Sequence, residues 1–118
     1  MEDQRLDMSE RARVLVVEDL PEVRLVLRRI LRRAGYECLE AEDVPVALEA
    51  LAEERVDLVL CDLQMPGASG LELLKVMRPR IPHTAVVMMS GNEDAETALA
   101  CLAQGTYGYV LKPFQPRD

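Results

Sequence analysis

Four short apolar runs each end on a polar group that could do chemistry. Val14 to Val17 lead into Glu18 and Asp19, and Leu58 to Cys61 into Asp62. Ala85 to Met89 lead into Ser90, and Tyr109 to Leu111 into Lys112 and Pro113. A carboxylate can attack phosphorus directly to give an acyl phosphate, which makes Asp62 a candidate nucleophile. Glu18 and Asp19 are adjacent carboxylates, and packed near Asp62 they would repel unless a cation intervened. Mg²⁺ (or Mn²⁺) suits such a cluster, because it takes hard oxygen ligands and is commonly shared with phosphate. Lys112 offers a compact ammonium for phosphoryl oxygens, and Ser90 offers a hydroxyl donor. Phosphoryl transfer depends mainly on positioning and charge neutralisation, so these groups could supply the protein's share. Each also has a plainer reading. Asp62 and Ser90 could simply end strands, Asp19 could cap a helix, and Lys112 could be a surface lysine.

The elements that must position these groups are legible from the same runs. Short Leu-, Val- and Ile-rich runs bounded by turn signals predict strands buried on both faces. The first covers about Arg13 to Glu18, the second Glu37 to Ala41, and the fifth about Gly108 to Leu111; the third ends at Asp62 and the fourth at Ser90. Glu37 and Glu40 suit the second strand to an edge or near-edge position. Helical patterns lie between them. One begins near Pro21, buries Val23, Leu27, Ile30, Leu31 and Ala34, and ends at Gly35. A second is capped by Asp43 and carries Val46, Ala47, Leu48 and Leu51. A third covers Leu71 to Met77, with Pro79 and Pro82 blocking its continuation. A fourth opens at Asn92 or Glu93 and stops at Gly105. Repeated strand–helix alternation implies a parallel sheet with right-handed crossovers and helices on both faces. In such a sheet ligands bind outside the carboxyl ends of the strands, where the polar groups converge.

Composition narrows the function classes. The 118 residues suit one domain, expected over 13–118 behind a flexible tail at 1–12. A net charge of −7 argues against a nucleic-acid grip, for which a basic face is the usual footprint. Cys38, Cys61 and Cys101 lack metal-ligand spacing, and His83 has no partner histidine, so zinc is not expected. No run reaches membrane-span length and the polar start is no signal peptide, which makes a cytoplasmic protein with reduced thiols the expectation. The chain stops six residues past Lys112, so the sequence reads as cut near the start of a fifth helix. That loss should expose apolar groups of the first and fifth strands and first helix, favouring a homodimer or domain swap.

The ordered set Glu18-Asp19, Asp62-Leu63-Gln64-Met65-Pro66-Gly67, Ser90-Gly91 and Lys112-Pro113-Phe114 resembles the receiver (CheY-like) domain of two-component response regulators. Gly70-Leu71 and Gly105 to Tyr109 fit as well, and the resemblance runs from Arg13 to Phe114. It implies a flavodoxin-like α/β fold, doubly wound, with strand order 2-1-3-4-5. It also implies phosphorylation of Asp62 by a histidine kinase or phosphotransfer protein. Asp19, Asp62 and the Gln64 carbonyl would ligate Mg²⁺, with Glu18 direct or through water. Lys112 would pair with Asp62 before phosphorylation, through a cis bond to Pro113. Ser90 and Tyr109 would form the switch, and Gln64 and Asn92 would tune how long the phosphoryl group survives. The implied role is a signalling switch that catalyses its own phosphorylation and dephosphorylation, with no other enzyme activity.

One departure is Glu18-Asp19 in place of an aspartate pair. Three other readings compete. A phosphorylation-independent interaction module would not be expected to retain Asp62, Lys112 and the acidic pair. A haloacid-dehalogenase-like phosphatase wants a second Asp two residues after the nucleophile, where Gln64 stands. A nucleotide-binding domain lacks either glycine-rich phosphate motif.

Overall fold

A computed structural model describes residues 11–63, 65, 69–91, 103, 105–106 and 108–111, omitting the side chains of Tyr109 and Leu111. Five strands form one sheet: β1 (Arg13–Val17), β2 (Glu37–Ala41), β3 (Leu58–Asp62), β4 (Ala85–Ser90) and β5 (Gly108–Leu111). Their order is β2-β1-β3-β4-β5, and every neighbouring pair is parallel. Three helices are described: α1 (Pro21–Arg33), α2 (Val44–Glu53) and α3 (Gly70–Arg80). The expected doubly wound order is therefore observed, with β2 at an edge. Gln64, Asn92, Lys112, Pro113, Phe114 and all of the expected fourth helix except Ala103 and Gly105 lie outside the described residues.

Alternation along the strands divides the core in two. Val14 and Val16 of β1 face Leu27 of α1, together with Cys38 and Met89. Leu15 and Val17 face the other way, into a larger cluster with Ala47 and Leu51 of α2 and Leu73, Leu74 and Met77 of α3. Burying such a side chain is worth about 1.5–3 kcal/mol, so both faces hold the sheet from either side. The apolar exposure expected on β1 is not found, since Val14 and Val16 are 2% and 0% exposed beneath α1. Exposed apolar groups are found on the other two expected elements, at Ile30 of α1 (51%) and Val110 of β5 (37%), and Leu58 and Leu60 of β3 are only partly buried beside Val14 and Val16.

Each helix has local reasons to start and stop. Pro21 opens α1, Glu22 lies in its first turn, and Arg32 and Arg33 lie in its last, matching the helix dipole. Gly35 ends it at φ +96°, where its N–H donates to Arg32 O and Tyr36 N–H donates to Leu31 O, both at 3.0 Å. Ile30, expected inside, is 51% exposed, because the helix turns its stripe onto Leu27 and leaves Ile30 and Ala34 at the rim. In α2 the Asp43 carboxylate accepts the Val46 N–H at 3.0 Å, as expected of a cap. Val46 itself faces out, and Val44 takes the buried place one turn before Ala47. Ser69 caps α3. Contrary to the sequence reading, α3 continues through Pro79 to Arg80. Proline there removes only the bond back to residue 75, and the Ile81 N–H still closes the end on Met77 O at 2.6 Å.

At the edge opposite the strand ends, charged groups tie β1, β2 and β3 together. The Asp57 carboxylate accepts the Arg13 N–H at 2.7 Å and pairs with Arg55. Arg13 also reaches Glu37 at 3.1 Å and Glu54 at 2.8 Å. The backbone bond from Arg13, helped by Arg55, holds the Asp57 carboxyl below the usual range. A depressed folded pKa gives stability above the unfolded value near about 3.9, lost as pH falls through the folded one. Asp57→Asn should therefore lower stability at pH 7 by about 0.2–1 kcal/mol, the size of an exposed ion pair. The gap to the unsubstituted chain should close below about pH 4 when urea unfolding is followed across pH.

Candidate functional site

Chain order reverses at β1 and β3. The chain leaves β1 through α1 toward β2, whereas β3 continues through α3 toward β4, so a crevice opens between the two strand ends. Glu18 and Asp19 follow β1, and Asp62 is the last residue of β3. One carboxylate oxygen from each lies within 4.8 Å of the others. Glu18 is 0% exposed and Asp62 4%, while Asp19 is only partly covered. Ser90 ends the neighbouring strand and is buried as well.

The backbone around these groups is tied to both flanks. Glu18 N–H donates to Ala41 O at 3.0 Å, and the Glu18 carboxylate accepts the Leu20 N–H at 3.2 Å. Arg24 Nη1 donates to the Glu18 carbonyl at 2.6 Å. Beyond Asp62, Leu63 N–H donates to Met89 O at 2.8 Å, and Gly70 N–H donates to Leu63 O at 3.0 Å. Asp19 does not cap α1, since the cap position belongs to Leu20 and has no side-chain hydrogen bond. The plainer reading of Asp19 thus loses its support.

Burial pushes the Cys61 thiol up to about 12, with the Asp62 and Glu18 charges adding to it. That thiol is a core group, as the sequence suggested. Burial, then the charge of Glu40, also raises the Cys38 thiol.

The donor set suits a hard divalent cation. Three carboxylates offer only oxygen, and octahedral Mg²⁺ holds its ligands at about 2.1 Å, hence roughly 3–4 Å from one another. The carboxylate oxygens, all within 4.8 Å of one another, lie close to that spacing. Of the expected site residues, Glu18, Asp19 and Asp62 cluster at the crevice, and Ser90 ends the strand beside Asp62. Tyr109 lies in β5 opposite Met88, and Leu111 opposite Ser90. Arg24 and Glu40 were not anticipated. A polar pair 16 residues apart in sequence carries no local signal of its contact.

A sequence model of the response regulator receiver domain matches residues 14–118. The chain belongs to the response regulator receiver family. Among curated relatives, the transcriptional regulator NtrC of Escherichia coli K12 is 40% identical over 105 residues, covering 89% of this chain and 22% of NtrC. FleR of Pseudomonas aeruginosa is 37% identical over 106 residues, or 90% of this chain and 22% of FleR. The receiver chain thus spans about a fifth of the length of these relatives. Among solved structures, chemotaxis protein CheY4 of Vibrio cholerae superposes with a TM-score of 0.84 at 31% identity, covering 91% of each chain. TrrA of Thermotoga maritima, solved in complex with Mg²⁺ and BeF, gives 0.78 at 33% identity, over 88% of this chain and 89% of TrrA.

The receiver fold presses the start of α3 against the end of β3. A Cβ on Gly70 would lie 2.8 Å from the Asp62 carbonyl oxygen, 2.9 Å from Met88 Sδ and 3.1 Å from Cys61 Sγ. Gly70→Ala must therefore push α3 away from Asp62, and should cost about 1–3 kcal/mol in urea unfolding. Unchanged stability would mean that α3 can move off the strand freely.

Proposed function

We infer that this receiver domain accepts a phosphoryl group on Asp62 and acts as a Mg²⁺-dependent switch in two-component signalling. The observation that carries the reading is the trio Glu18, Asp19 and Asp62, gathered within 4.8 Å at the sheet's switch point. An Asp62 carboxylate oxygen attacks the phosphorus of a phosphohistidine or small acyl-phosphate donor. The bond from phosphorus to the donor breaks, leaving an acyl phosphate. A bound Mg²⁺ (or Mn²⁺), held by Glu18, Asp19, Asp62 and the Gln64 carbonyl, would neutralise charge on the phosphoryl oxygens. Water attack on phosphorus later releases phosphate and restores the carboxylate.

Ser90 at the end of β4 has the hydroxyl to meet a phosphoryl oxygen. Lys112 directly follows Leu111, the register partner of Ser90, which supports an ammonium contact in the same place. Tyr109 is the candidate aromatic partner of Ser90 in switching, and Gln64 and Asn92 are candidates for setting the phosphoryl lifetime. The partner class is a sensor histidine kinase or phosphotransfer protein. The switch itself requires two packings a few kcal/mol apart, biased by the new charge.

Intact mass after incubation with acetyl phosphate tests the chemistry. The expected result is a gain of one phosphoryl group that requires both Mg²⁺ and Asp62, and is absent in Asp62→Asn. No gain, together with no beryllofluoride adduct on a folded sample, would contradict it. An interaction module that works without phosphorylation would then be the better account.

A further inference from the structure

The connection from β1 to α1 carries two of the three clustered carboxylates, so its backbone geometry decides where they point. Arg24, in the first turns of α1, reaches back and donates Nη1 to the Glu18 carbonyl at 2.6 Å. That carbonyl belongs to the peptide joining Glu18 to Asp19. Its N-terminal neighbour, the Glu18 N–H, is held by Ala41 O at 3.0 Å. The segment is thus fastened to β2 on one side and to α1 on the other. Arg24 is itself oriented, because its Nε donates to Glu40 Oε1 at 3.3 Å. Arg28 Nη1 takes the other Glu40 oxygen at 2.7 Å.

A shallow cleft of about 220 Å³, lined by Arg24, Glu40, Ala41, Glu42 and Val46, opens the outer side of this triad to water. The three side chains are part-buried, at 17–34% exposure, and ion pairs with such access to water add only modestly to folding. The planar guanidinium is better suited to holding a carbonyl and a carboxylate at once. The Arg24 guanidinium also brings a positive charge up to the peptide that carries Glu18 and Asp19. By charge alone that would oppose a cation there.

We propose that Arg24, held by Glu40 and Arg28, is a positioning residue that sets the Glu18–Asp19 peptide for divalent-cation binding. This rests on the reading of the cluster as a Mg²⁺ site. The two possible roles of Arg24 differ in sign. If it acts only through its charge, removing it tightens Mg²⁺ binding; if it positions the peptide, removing it weakens binding.

Calorimetric titration of the whole chain with MgCl₂ tests this on the unsubstituted protein, Arg24→Met, Arg24→Lys, Glu40→Gln and an Asp19→Asn control. Arg24→Met should bind Mg²⁺ about 10-fold more weakly, as loss of an outer support does at metal sites. Arg24→Lys should recover part of the loss, and Glu40→Gln should weaken binding by a smaller factor. In the metal-free protein, the Asp19 amide nitrogen resonance should move in Arg24→Met, since it shares the peptide that Arg24 polarises. Equal or tighter Mg²⁺ binding by folded Arg24→Met overturns the proposal. Should that variant fail to fold, unchanged affinity in Glu40→Gln overturns it. If the unsubstituted chain binds no Mg²⁺, or Asp19→Asn binds as well, the metal-site reading falls and the proposal falls with it.

Discussion

Three carboxylates held within 4.8 Å at one point of the sheet set the terms for everything around them. At an effective dielectric of about 20, two unit like charges at that distance repel by roughly 3 kcal/mol. Water cannot relieve much of this, because Glu18 and Asp62 are buried. A fold that keeps such a cluster must hold its backbone firmly and leave room for a compensating positive charge. The parallel sheet does both. Its core braces β1 and β3 from each face, and the reversal of chain order opens the crevice into which the carboxylates project.

The same arrangement couples the crevice to the rest of the molecule. The Leu63 N–H is bonded to β4 and the Leu63 carbonyl to the first residue of α3, so the segment after Asp62 cannot shift without moving a neighbour. Gly70 leaves no space for even a methyl group against the Asp62 carbonyl. Close-packed contacts of this kind respond by switching between arrangements more readily than by deforming gradually. That property is what the proposed signalling role needs. Charge arriving at Asp62 would be felt first by β4, through Met89 and Ser90, and by the start of α3.

Much of this was readable in the chain. Val14 to Val17 are buried on both faces, and Leu58 to Cys61 and Ala85 to Met89 are buried on one face and partly buried on the other, so each appears as an unbroken apolar run with its polar terminator in plain view. Repeated strand–helix alternation then gave the parallel sheet, and the resemblance carried by the strand-end residues gave its order. What stayed hidden depended on contacts between distant residues. Helical spacing placed Leu27, Ile30 and Val46 alike on apolar stripes, but only the packed sheet shows that Leu27 is covered while Ile30 and Val46 face out, and that Val44 fills the buried place in α2. Pro79 looked like a stop, yet near a helix end it removes one hydrogen bond and the last turn survives. Arg24 and Glu40 meet only because α1 folds back beside β2.

On the proposed reading, Glu18, Asp19 and Asp62 together hold one divalent cation at the carboxyl end of the sheet. Paramagnetic broadening of backbone amide signals by trace Mn²⁺ tests it most directly. The amides of Glu18, Asp19 and Leu63 should fade first, those of Arg13, Asp57 and Ala85 at the far edge should persist, and excess Mg²⁺ should restore the lost signals. Broadening centred on another acidic stretch such as Glu53 and Glu54, or signals that Mg²⁺ fails to restore, would contradict it.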